Sequence, residues 1–170
     1  MLEQLGVRFR VEPADVDELE AGDPLEVAME NARRKAAKVA SAAAHAGETV
    51  LGVDTVVALD GRIYGKPLGE EDAARTLRAL AGRTHEVVSG LAIGDDATAA
   101  VTRVTFRTLS DEVVRWYVGT QEWRDRAGGY AIQARGAALV TSVEGDYLNV
   151  VGLPVAALLD RLPWLLWDAR

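Results

Sequence analysis

Cysteine is absent from the 170-residue chain, and histidine occurs only twice, at His45 and His85. Without cysteine there is no disulfide, no thiolate metal site and no thiol nucleophile. Two histidines leave little room for a histidine-rich metal centre or an imidazole relay. Positive charge is also in deficit, with 19 Lys and Arg against 26 Asp and Glu and a formal net charge of -7. That balance argues against a broad nucleic-acid surface, which needs excess Lys and Arg to neutralise phosphates. A small anionic ligand stays compatible, because one pocket can be locally basic on an acidic protein. No apolar run approaches the roughly 20 residues of a membrane span, and no signal-peptide pattern is visible. A cytoplasmic protein that engages neither membrane nor nucleic acid is the expectation.

What remains is an ordinary globular composition, 49% hydrophobic and 26% charged, long enough for one domain over 1–170 with a proper core. Met1 to Leu5 reads as the tail of a helix stopped by Gly6. Val7 to Val11 alternates as a short strand, and Glu12 to Gly22 is an acidic loop. Asp23 and Pro24 open a helix as N-cap and first residue. Its apolar stripe is Leu25, Met29, Ala32, Ala36, Val39 and Ala43, with Lys35 at the border and able to reach inward. Strands are expected at Thr49 to Leu59, Arg62 to Tyr64, His85 to Ile93, Ala100 to Leu109 and Ala138 to Val143. Helices are expected at Glu70 to Ala81, from Ser110 onward and at Leu153 to Leu162, with Trp164 to Trp167 extending the packing of the last. Interleaved strands and helices predict an α/β fold.

The run Leu51-Gly52-Val53-Asp54-Thr55-Val56-Val57 sets an aspartate and a threonine inside an apolar, β-branched strand. A buried carboxylate needs a lysine, a metal or a set of donors, or it takes up a proton. Candidate companions are Glu18, Lys35, Lys66 and Gln133. Lysines neutralise phosphate as point charges. Carboxylates hold Mg²⁺ or Mn²⁺, which bridge phosphate oxygens, and one carboxylate can take the proton of an attacking water. Gln133 offers a donor and an acceptor to the edge of a base. Each has a plainer reading: a cap or bulge at Asp54 and Thr55, a snorkelling Lys35, an exposed turn at Lys66, a solvated loop at Glu18. Gly128-Gly129 lacks the Walker spacing. Gly82-Arg83-Thr84-His85 reads as a helix stop and strand start, and Ser89 and Ser110 have no triad partners. Composition and spacing stop at an α/β protein with a phosphate site.

Ordered motifs carry the reading further. They are Met1-Leu2-Glu3-Gln4-Leu5-Gly6, Asp17-Glu18, Ala32-Arg33-Arg34-Lys35-Ala36, Gly52-Val53-Asp54-Thr55, Gly65-Lys66-Pro67, Gly82-Arg83-Thr84-His85, Ala127-Gly128-Gly129-Tyr130-Ala131-Ile132-Gln133 and Asn149-Val150-Val151-Gly152-Leu153-Pro154. Together they resemble the Maf family of nucleoside triphosphate pyrophosphatases over nearly the whole chain. The resemblance implies a mixed twisted sheet flanked by helices, with two lobes and a cleft. It also implies metal-assisted hydrolysis of a nucleoside triphosphate to the monophosphate and pyrophosphate, with Mg²⁺ or Mn²⁺ as cofactor. Asp54 matches the catalytic carboxylate, acting as general base and metal ligand with Glu18. Thr55 and Gln133 match substrate-choice positions, and Lys35 and Lys66 match phosphate-side lysines. Asp-Thr with Tyr-Ala-Ile-Gln resembles the branch acting on dTTP and UTP. A homodimer is the implied assembly.

The family normally opens on a strand and a Ser-x-Ser-Pro-Arg-Arg segment ahead of the helix tail at which Met1-Leu2 stands. The true start is therefore expected upstream. A chain wholly without that segment is expected to leave an unfilled place or exposed edge in the sheet and to hydrolyse weakly or not at all. The competing expectation is a catalytically impaired, nucleotide-binding regulator linked to cell division, since the family has been associated with septum formation.

Overall fold

Asp23 and Pro24 open the longest helix as their chemistry dictates. Helix α1 runs Pro24–Ala40, and one Asp23 carboxylate oxygen accepts from the Leu25 and Glu26 N–H groups at 3.0 and 3.2 Å. The structure, a computed structural model, describes residues 1–41 and 47–167. Ala43 and His45 therefore lie outside the described residues. The buried face of α1 is Val27, Ala28, Asn31, Ala32 and Ala36, whereas Leu25 is 42% exposed. The stripe is thus rotated from the expected one, toward the smallest side chains.

The sheet explains that rotation. Its strands are β1 (Leu51–Leu59), β2 (Arg62–Tyr64), β3 (Thr84–Ile93), β4 (Asp96–Phe106) and β5 (Val140–Glu144), in the order β2-β1-β3-β4-β5. Gly52 of β1 and Gly90 of β3 lie directly beneath α1. A Cβ at Gly52 would sit 2.2 Å from the Ala32 carbonyl oxygen, and one at Gly90 would sit 2.1 Å from that of Ala28. Helix backbone rests on strand backbone, so the buried face of α1 is made of small side chains, with Asn31 the one polar member among those named.

The α/β fold is as the sequence predicts. The sheet, expected to be mixed, has antiparallel pairing at each of its four interfaces among the described residues. Tight hairpins account for two of the four, β1–β2 and β3–β4. Asp60 and Gly61 take φ of 52° and 76°, the two-residue turn whose twist suits adjacent antiparallel strands. Val7 to Val11 is not a strand: the chain from 7 to 22 has no regular element. A short alternating run without a neighbour to bond cannot hold strand form. Beside it, β1 pairs with β2 only over Val57–Leu59. The remaining edge of β1 borders a groove of about 810 Å³ lined by Phe9, Val11, Val53, Leu153 and Leu158.

On the sheet face away from α1 the apolar core is divided. One cluster joins Val87, Val104 and Phe106 to α2 (Glu70–Leu80) and α3 (Asp111–Gly119) through Leu77, Leu80 and Tyr117. The other joins Leu91 to Leu153, Val155 and Leu158, the last two on α5 (Val155–Arg161). A five-residue helix, α4 (Tyr147–Val151), precedes α5 and is capped by Asp146. Trp164 and Trp167 are 41% and 67% exposed, and Leu165 packs instead. No helix among the described residues is long and apolar enough to cross a membrane.

Candidate active site

Adjacent strand residues face opposite ways, so Asp54 points to α1 and Thr55 to the divided face. Asp54 lies opposite Gly90 in the β1–β3 register, where the missing side chain lets α1 come close. One helical turn then delivers Asn31 and Lys35, four residues apart and on the same face. Lys35 Nζ donates to Asp54 Oδ1 at 2.6 Å, and Asn31 Nδ2 donates to Asp54 Oδ2 at 3.1 Å. The buried carboxylate is 8% exposed and has the partner its position demanded. The same Lys35 Nζ lies 2.7 Å from Glu18 Oε1.

The electrostatics fix the charge states. Burial is the largest single influence on Lys35 and pulls its pKa down. The hydrogen bonds and charges of Asp54 and Glu18 together outweigh it and hold the ammonium above its ordinary range. Lys35 is therefore a fixed cation, not a base. The hydrogen bond from Lys35 holds Glu18 below the usual carboxylate range against the opposing effect of burial, with Lys66 adding a smaller attraction.

A cavity of about 240 Å³ opens here, lined by Lys35, Asp54, Thr55, Lys66 and Gln133 and also by Asp125, Arg126 and Val150 to Gly152. Five of the six residues singled out from sequence meet in it, and Glu18 joins through Lys35. The Thr55 and Ser89 hydroxyls hydrogen-bond at 2.8 Å between the two apolar clusters. The loop that carries Gln133 is pinned at three points. The Ala131 N–H donates to the Tyr117 hydroxyl at 3.0 Å, and the Gly128 N–H donates to the Gly65 carbonyl at 3.2 Å, next to Lys66. Tyr130 and His85 share a 2.9 Å hydrogen bond. Sequence reasoning missed Asn31, Ser89 as the Thr55 partner, Arg126, and the fully buried Asn149, whose amide bonds Val87, Ala100 and Thr102. Asn31 did leave a signal, being a polar residue between Ala28 and Ala32 on the side of α1 that the alanines mark as inward.

His85 is a strand residue, as expected, packed edge-on to Phe106 and Tyr130. Burial pushes its imidazole down to about 4. The unfolded chain takes its proton near 6.5, so between these values the unfolded state binds more protons and stability falls with acid. His85's contribution is complete above pH 6.5 and lost as pH drops toward 4. Urea titrations at pH 7 and pH 5 should differ by about 2 kcal/mol from this residue, and His85→Gln should remove that part of the difference. An unchanged difference would show that the ring is not buried neutral.

Among the described residues no three His, Cys, Asp or Glu side chains cluster to hold a metal on their own. The donor set still suits a hard cation that keeps several other ligands. Glu18 and Asp54 both direct an anionic oxygen at one positive centre, Lys35 Nζ, within 2.7 Å. Mg²⁺ typically takes one or two carboxylates and completes its shell with water and substrate phosphates.

Known proteins resemble this chain along most of its length. The family described as "Maf-like protein" matches residues 1–164. The chain is 46% identical over 158 residues to a dTTP/UTP pyrophosphatase of Pyrococcus furiosus, covering 89% of this chain and 82% of that protein. It is 46% identical over 176 residues to a dTTP/UTP pyrophosphatase of Myxococcus xanthus, covering 96% and 89%. A dTTP/UTP pyrophosphatase of Anaeromyxobacter dehalogenans is 45% identical over 181 residues, covering 96% and 90%.

Proposed function

The chain belongs to the Maf family, and from that premise we propose that it hydrolyses nucleoside triphosphates between the α- and β-phosphates, with dTTP and UTP as substrates. The observation that carries the reading is the convergence of Glu18 and Asp54 on Lys35 at a pocket that also holds Lys66, Thr55 and Gln133. Lys66 and Arg126 supply positive charge for the β- and γ-phosphates from the pocket wall. Lys35, held cationic by its two carboxylates, stands where the α-phosphate would lie. Asp54 is the general base: its carboxylate, oriented by Lys35 and Asn31, takes the proton of a water attacking the α-phosphorus. Pyrophosphate leaves and the nucleoside monophosphate remains. Glu18 and Asp54 would hold a divalent cation with the triphosphate, and that ion would neutralise charge developing on the phosphates. Gln133 presents its amide to the edge of the pyrimidine, and Thr55, fixed by Ser89, closes the base side.

Pyrophosphate release from dTTP, UTP, dATP and GTP with Mn²⁺ tests this. dTTP and UTP should be turned over, with pyrophosphate and not orthophosphate as product, and chelation with EDTA should abolish release. Binding of dTTP without any pyrophosphate would favour the regulator reading. Equal turnover of all four nucleotides would remove the roles given to Thr55 and Gln133.

A further inference from the structure

We propose that Asn31 is a positioning residue that latches the irregular segment carrying Glu18 onto the Asp54 carboxylate. Three observations carry it. The segment from 7 to 22 has no helix or strand to hold its main chain, yet Glu18 must reach Lys35. Asn31 binds both main-chain groups of the neighbouring Leu19: its Oδ1 accepts from the Leu19 N–H at 2.7 Å and its Nδ2 donates to the Leu19 carbonyl at 3.1 Å. The second Nδ2 hydrogen goes to Asp54 Oδ2 at 3.1 Å. Three of the amide's four hydrogen-bonding positions are thereby used, in a side chain only 1% exposed.

The effect is to tie the main chain beside Glu18 to Asp54, where Lys35 links only the two side chains. Leu19 receives from Asn31 the pair of bonds that a neighbouring strand would supply. Arg34 adds one further tie, donating to the Asp17 carbonyl at 2.9 Å. Glu18 lies between these two anchored residues, and its side chain is directed at Lys35. Because the same amide also sets one oxygen of Asp54, docking of the segment and orientation of the base are coupled. No other residue type supplies this pattern at that place. Asp lacks the donors when ionised, Leu lacks every bond, and Gln extends one methylene too far for a helix already touching the sheet.

The inference rests on the proposed function for its kinetic arm only. Hydrogen exchange on the unaltered chain and on Asn31→Ala should show the peptides covering 12–22 exchanging about tenfold faster in the variant, with the sheet unchanged. Asn31→Asp keeps the shape and the acceptor for the Leu19 N–H but sets an anionic oxygen against Asp54 Oδ2 and the Leu19 carbonyl, so it should not restore that protection. In the same variants kcat for dTTP should fall about 10- to 100-fold, as for other residues that orient reacting groups, with KM changed far less. In a Glu18→Gln background the Asn31→Ala loss should shrink by at least about threefold, since only the bond to Asp54 is then left to lose. Unchanged exchange over 12–22, or losses that multiply in full, would overturn the proposal. If the unaltered chain releases no pyrophosphate, the proposed function fails, while the exchange comparison still decides whether Asn31 is the latch.

Discussion

Asp54→Asn is expected to lower pyrophosphate release by about a thousandfold, the scale of losing a positioned general base. The substitution keeps size and leaves Lys35 with Glu18 at 2.7 Å, so the pocket should retain its shape and most of its affinity. The loss should therefore lie mainly in kcat, with a smaller rise in KM where the amide weakens the hold on the cation that Asp54 would share with Glu18. Glu18→Gln should cost less, because the position is 36% exposed at its side chain and water can replace part of what it offers. A variant at Asp54 with near-native turnover would mean that the proton leaves by another route.

Gly90→Ala should be the most damaging single methyl in the protein. Its Cβ would meet the Ala28 carbonyl oxygen at 2.1 Å and carbon at 2.4 Å, both main-chain atoms. Neither can rotate aside, so α1 must lift or shift along the sheet. Overpacking commonly costs about 1–3 kcal/mol and sometimes more, and a rigid backbone clash belongs at the top of that range. Activity should fall further than stability, because Gly90 faces Asp54 across the β1–β3 register and the same helix carries Asn31 and Lys35. Chemical denaturation measures the first effect and turnover at a temperature where the variant is folded measures the second. Gly119→Ala, where nothing lies within 4 Å, is the control and should not lower stability, since alanine in the last turn of a helix gains up to about 1 kcal/mol over glycine.

The site was legible in the sequence where a residue contradicted its surroundings. Asp54 could be read because a carboxylate in an apolar strand demands a partner, and Lys35 because it borders a helical stripe. Lys66 and Gln133 gained weight from the family's ordered motifs, since each alone is an ordinary turn or strand residue. Asn31 was missed because its value lies in three contacts with residues distant along the chain. The true inward face of α1 was misjudged for a related reason: Gly52 and Gly90 admit the helix backbone itself, a tertiary fact that periodicity does not carry. Helix α4 is only five residues long, too short to show a period. Val7 to Val11 failed as a strand because alternation states a face but cannot supply a neighbour.

A crystal structure of the Asp54→Asn variant with dTTP and Mn²⁺ tests the central claim most directly. The account predicts the triphosphate between Lys35 and Lys66, the metal against Glu18 and position 54, and the thymine edge on Gln133. A nucleotide bound elsewhere, with Lys35 still closed on Glu18 and the pocket empty, would contradict it.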